Sequence, residues 1–480
     1  MNKVDLKSQL TLFDVTNLVV GAIIGADIYV ASAFGAGLLG PFSLVVWVLA
    51  GIIAIVIALC FAQCVALIPK VGGPYAYAHA AWGNFAGFIV GWSLWLAEWM
   101  SLAVFPLAFT QYLMFFVPDL SLISQIVVKV FFVIFLIITN IVGVKAAGRT
   151  NDILTLIKLI PLVFFVIIGI QYIVLNTVTV VTNFTPFLPY GLKNFGEALI
   201  LIFWAYAGFE ISTIPADEIR EPSKTIPRAI IIGILIVTIF YLTTNVVLFG
   251  VRRWDLLQND NAPLATSTSS TLSSIPIMAF IGGIIVGVGA LFSVAGSDES
   301  GMIGTSRLGY ALASDGLFPR IFAKIHPKFN TPYMGIIIQA ITALTAAIIG
   351  GLSMLIATSV FFMSIAYLAT SASIFTLRHK GIKNQFHLKG ESLIPILGII
   401  FSLYLITQCS LNQILLGLVL LFVGVPIYVR HTPKKEITEL KQQLLSHEAF
   451  IKRARIQERR FLANVLTHLK RYLRKSTEKE

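Results

Sequence analysis

Twelve apolar runs, each close to the roughly 20 residues a helix needs to cross a bilayer, leave this chain few ways to fold. They fall at about 12–38, 42–68, 85–116, 124–143, 152–175, 195–216, 228–250, 277–305, 333–350, 353–377, 393–409 and 411–430. In hydrocarbon each unsatisfied backbone group costs several kcal/mol, so runs of this length read as helices. Charged residues make up 12% of the 480, and the mean hydropathy is +0.86. Soluble domains carry about 25% charged residues, which excludes a large soluble core. The first run is too long for the apolar core of a signal peptide and is expected to remain as a span. The last two runs are separated only by Cys409-Ser410-Leu411-Asn412.

Basic residues sort to alternate loops. One set carries Lys3, Lys70, Lys145, Arg228, Arg320, Lys324, Arg378 and Lys389 among others, the opposite set only Lys193, Arg252 and Arg253. This bias places both termini in the cytoplasm. The net charge of +12 lies largely in residues 431–480, where thirteen Lys/Arg stand against six Glu. Apolar residues recur there at helical spacing, so the tail reads either as an amphipathic helix on anionic lipid or as a solvated, self-associating one. The Ser/Thr-rich stretch Pro263 to Ser274 reads as a mobile or capping outer loop. Cys60, Cys64 and Cys409 sit in apolar runs and read as packed thiols. No nucleic-acid motif, metal-spaced histidine cluster, nucleophile elbow or phosphate loop is present, so neither a nucleic-acid partner, a cofactor nor an enzyme is expected.

Two runs are interrupted. The first reads Gly21-Ala22-Ile23-Ile24-Gly25-Ala26-Asp27-Ile28-Tyr29, and the second Phe203-Trp204-Ala205-Tyr206-Ala207-Gly208-Phe209-Glu210. Gly21 and Gly25 alone would also suit a small-residue seam between helices. The carboxylate after them and the aromatic-Gly-Glu cluster favour helices unwound in mid-membrane. Such breaks at matching places in two halves point to a substrate site. Freed amides bind an anion there and freed carbonyls a cation, which together suit an amino acid's two charges.

At these residues the chain resembles the amino acid–polyamine–organocation (APC) superfamily. The first break is similar to its G-x-I-I-G-x-G-I-F pattern. The second, through Asp217, Glu218 and Pro222 to Ile226-Pro227-Arg228, resembles its acidic-x-x-x-P-x-x-x-I-P signature. Pro69-x-x-Gly72-Gly73-x-Tyr75 and Asp315-Gly316-Leu317-Phe318-Pro319 resemble two of its loops. The resemblance implies an all-α polytopic protein of the leucine-transporter type, with two inverted five-helix repeats (12–175 and 195–377). Two extra helices (393–430) follow, between a short N-terminus (1–11) and the tail (431–480). It implies a secondary transporter in the cell membrane. A substrate carboxylate would meet amides around Ile23, Ile24, Gly25 and Ala26, and its ammonium carbonyls from Phe203 through Ala205 to Tyr206 and Gly208. Trp204 would act as an aromatic gate.

Six charges read as lying at membrane depth: Asp27, Glu98, Lys158, Glu210, Asp298 and Glu299. Burial of such groups makes function the default reading. Lys158 resembles the lysine that takes a sodium ion's place in proton-coupled members; a titrating ammonium and a static ion pair with Asp298 or Glu299 both fit the sequence. Glu98 and Glu210 each read as a proton site or a structural hydrogen bond. Asp27 departs from the family by replacing the third glycine of its motif. It therefore favours either an amino acid in a modified cradle or a polyamine or other cation without a carboxylate. A receptor-like protein that keeps the fold without transport is the expectation from another class. The sequence names no partner subunit.

Overall fold

The computed structural model describes residues 10–69, 72–142, 149–210, 219–382 and 391–432, and of 149–157 only the backbone. The loop acids Asp217 and Glu218 and the basic tail lie outside them. In chain order the helices are α1 (Leu12–Ile23), α2 (Ala26–Leu39), α3 (Ser43–Leu67), α4 (Pro74–Trp82), α5 (Asn84–Leu113), α6 (Leu122–Val142), α7 (Arg149–Leu175), α8 (Thr177–Asn183) and α9 (Phe195–Phe203). They continue as α10 (Pro222–Val251), α11 (Trp254–Leu257), α12 (Pro263–Thr271), α13 (Pro276–Ser314), α14 (Tyr333–Ile349), α15 (Leu352–His379), α16 (Leu393–Gln408) and α17 (Leu411–His431). Among the described residues, eight helical stretches are long and apolar enough to cross a membrane, and four shorter apolar helices accompany them. The chain is a multi-pass membrane protein. By internal contacts, the described residues up to Val425 form one compact unit and those from Pro426 onward belong to another.

The bundle is arranged inside out relative to a soluble protein. α6 presents Phe131 and Phe135 outward at 68% and 56% exposure, an apolar surface that only lipid or protein would cover. α5 is buried along most of its length, which makes it a central post against α13, α14 and α15. α13 has 39 residues and at about 1.5 Å per residue outruns the hydrocarbon layer, so it continues to Ser314, beyond the expected span 277–305. Pro263 to Ser274 is largely helix rather than a mobile loop. Thr268, Ser270 and Thr271 return their hydroxyls to carbonyls four residues back, and α12 packs on α13 and α7.

The expected first span is two helices. α1 starts at a capping box, with the Thr11 amide donating to Asp14 Oδ2 (2.7 Å) and the Asp14 amide to Thr11 Oγ1 (3.4 Å). It ends where Ile24 turns extended (φ −76°, ψ 105°), and α2 restarts after Gly25 (φ −145°, ψ −137°). α9 likewise gives way to a 3-10 turn at Trp204–Tyr206, an extended Ala207 and Gly208 at φ +118°.

Candidate functional site

Three carbonyls freed around the first break are each met by a different helix. Lys158 Nζ of α7 donates to Gly21 O (3.4 Å), Tyr241 Oη of α10 to Ile23 O (3.1 Å) and Ser297 Oγ of α13 to Ile24 O (3.3 Å). Lys158 also donates to Ser297 Oγ (3.1 Å), and Tyr241 to Asp27 Oδ2 (2.7 Å). Gly25 is required by closeness: a Cβ there would lie 2.6 Å from Ser297 Oγ.

The second break is held from within. Glu210 Oε2 accepts from the Gly208 amide (3.0 Å), and Oε1 from Tyr367 Oη of α15 (3.1 Å). Gly208 has a backbone conformation that side-chain-bearing residues rarely adopt. A Cβ there would also lie 2.7 Å from the carbonyl oxygen of Ala22, so the two breaks meet backbone to backbone.

Beside this meeting lies a cavity of about 40 Å³, room for a few waters. Ala22, Ile23 and Asp27 line it from the first break, and Trp204, Ala207 and Gly208 from the second. α5 contributes Glu98, Ser101 and Phe105, α13 Ser297, Ser300 and Gly301, and α15 Met363. Trp204 is fixed there by its Nε1–H donating to Ser101 Oγ (3.0 Å) and by ring contact with Phe105. Ile24, Gly25, Ala26, Phe203, Ala205 and Tyr206 do not line the cavity. Tyr206 turns its hydroxyl to Trp47 O (3.0 Å) on α3, and Ile24 and Gly25 face Ser297.

The buried charges separate into different places. Asp27 and Glu98 line the cavity, whereas Lys158, Glu210, Asp298 and Glu299 do not. Lys158 forms no salt bridge with Asp298 or Glu299; its hydrogen-bond partners are the neutral oxygens of Gly21 and Ser297. Asp298 is buried with Oδ1 unpartnered, and Glu299 lines a separate cavity of about 270 Å³ with Asn140 and Arg307.

Lys129, inside run 124–143, was absent from the six charges read above. It is buried on α6 and donates to Ala347 O (3.4 Å) in the last turn of α14, where free carbonyls favour a cation. Ser101 and Phe105 follow Glu98 at helical spacing, as Ser300 and Gly301 follow Ser297. That periodicity was the available signal for the lining residues the motifs did not name.

Two apposed helix breaks thus lie beside a small cavity in a membrane-spanning helical bundle. An amino acid permease family model matches residues 10–433, and the chain belongs to that family. It is 27% identical to the branched-chain amino acid permease of Bacillus subtilis (strain 168), over 89% of this chain and 94% of that one. It is 29% identical to the methylthioribose transporter of the same organism, over 82% and 86% of the two chains. It is also 29% identical to the human large neutral amino acids transporter small subunit 2, over 90% and 82%. These relatives are transporters and not enzymes, and so is the family.

Proposed function

We propose that the chain is a secondary active transporter. It moves an amino acid or related amine across the cell membrane by alternating access, coupled to protons, with both termini in the cytoplasm. The observation that carries this reading is the meeting of the two breaks at Gly208 and Ala22, beside a cavity that holds carboxyl groups within an apolar bundle. A cavity of about 40 Å³ is far below the roughly 300 Å³ at which ligand pockets begin, so cargo enters only when the helices around it part. The fold we assign is the leucine-transporter type, with residues 12–175 and 195–377 as inverted repeats and 393–430 as two added helices.

Relatives bear the names of amino acid carriers and, in one case, of a methylthioribose carrier, so cargo choice varies on this scaffold. Lys158 is our candidate for the coupling group. Its ammonium bridges α7 to Gly21 of α1 and Ser297 of α13, and loss of its proton would weaken both bonds. Glu210 is better supported as a clasp on the second break than as the proton site.

Uptake into proteoliposomes, with and without an inward proton gradient, tests the reading. Gradient-dependent accumulation of an amino acid or amine is expected. Binding without any accumulation would instead identify a receptor-like protein.

A further inference from the structure

The first turn of a half-helix that begins inside a bundle offers its free amides to one anion. In this chain that place is filled from within. Asp27 lies in the first turn of α2; its carboxylate accepts from Tyr241 Oη at 2.7 Å and lies beside Gly25, where a Cβ would sit 2.9 Å from Oδ1. A second carboxylate brought to the same amides would face Asp27 at close range in a site almost closed to water. Like charges there repel strongly.

The opposite charge is welcome. Glu98 is 8% exposed, lines the same cavity, and makes no hydrogen bond or salt bridge with another described residue. No lysine or arginine among the described residues lines that cavity; Lys158 is engaged by Gly21 O and Ser297 Oγ. Ile23, Phe105, Trp204 and Met363 give the remaining wall an apolar surface that suits an alkyl or aryl body.

We infer that the cargo of this site is an amine without a carboxylate, with Asp27 standing where an amino acid would bring its own. The inference rests on the transport reading above. Glu98 is the acceptor for the ammonium, and the aromatic wall holds the carbon skeleton.

Matched pairs test it on the purified full-length protein: leucine with isopentylamine, phenylalanine with phenethylamine, and ornithine with putrescine. Each is scored by thermal stabilisation and by uptake into proteoliposomes. In every pair the amine is expected to act at a concentration at least about tenfold lower, equivalent to 1.4 kcal/mol. Asp27→Gly should move the preference toward the amino acid by a similar factor. Asp27→Asn, which keeps the side chain's shape without its charge, should abolish the amine preference and serves if the glycine variant does not fold. An amino-acid preference of the unmodified protein in any pair overturns the inference and leaves the transport reading intact. Failure of every pair to bind or accumulate removes both.

Discussion

The two helix breaks are satisfied in opposite ways. At the first, side chains from α7, α10 and α13 reach in from three directions to hold the carbonyls of Gly21, Ile23 and Ile24. At the second, Glu210, two residues beyond the glycine, turns back onto the Gly208 amide, and Tyr367 Oη donates to its other oxygen. The first is a junction of four helices, and any change there is felt across the bundle. The second is a local clasp. What differs is the kind of group left free: carbonyls call for donors, which must come from elsewhere, whereas an amide needs only a nearby carboxylate.

That contrast predicts a graded series. Lys158→Ala should have the largest effect, because it opens the junction and leaves Gly21 O buried without its donor, at about 1–3 kcal/mol. Gradient-driven accumulation should be lost, and persistence of normal pH-driven uptake would remove Lys158 from coupling. Gly208→Ala should follow, with roughly 1–3 kcal/mol of backbone strain at a positive φ. Gly25→Ala should cost less, since its obstacles are side-chain atoms of Ser297 and Asp27 and not backbone. Thermal midpoints of the two variants rank them directly, and the reverse order would break the comparison.

Glu210→Gln keeps one acceptor oxygen where two are used. It should lower the thermal midpoint by an amount equivalent to about 1 kcal/mol while leaving pH dependence in place. A flattened pH profile would move the proton site from the junction to the clasp. Tyr241→Phe removes one hydroxyl that serves both Ile23 O and Asp27, and a loss near 1 kcal/mol with weakened charge selectivity is expected. Unchanged selectivity in competition uptake would show that Asp27 needs no support from α10.

Much of the first break was legible in the sequence. Gly25 marks it to the residue, and Asp27 two residues on lines the cavity. Trp204 and Gly208 were equally readable as lining residues of the second. The sequence did not disclose which neighbours answer the freed carbonyls. Tyr241 and Ser297 look like ordinary residues of apolar helices, and only folding brings them beside residues more than two hundred positions away. Nor did the sequence disclose where the Tyr206 hydroxyl turns, since an aromatic in a broken span can point into the cavity or, as here, out to α3. Asp298 and Glu299 are adjacent in sequence, but successive helical residues project about 100° apart, so one lies unpartnered in the bundle and the other lines a separate cavity.

The close approach of Gly208 to Ala22 has a mechanical meaning. Two strands of bare backbone in van der Waals contact leave no side chain between them to compress or re-orient. If α1 swings about its break, the segment that carries Gly208 must roll with it or separate from it. A methyl group at Gly208 would press on the Ala22 carbonyl and hinder either motion.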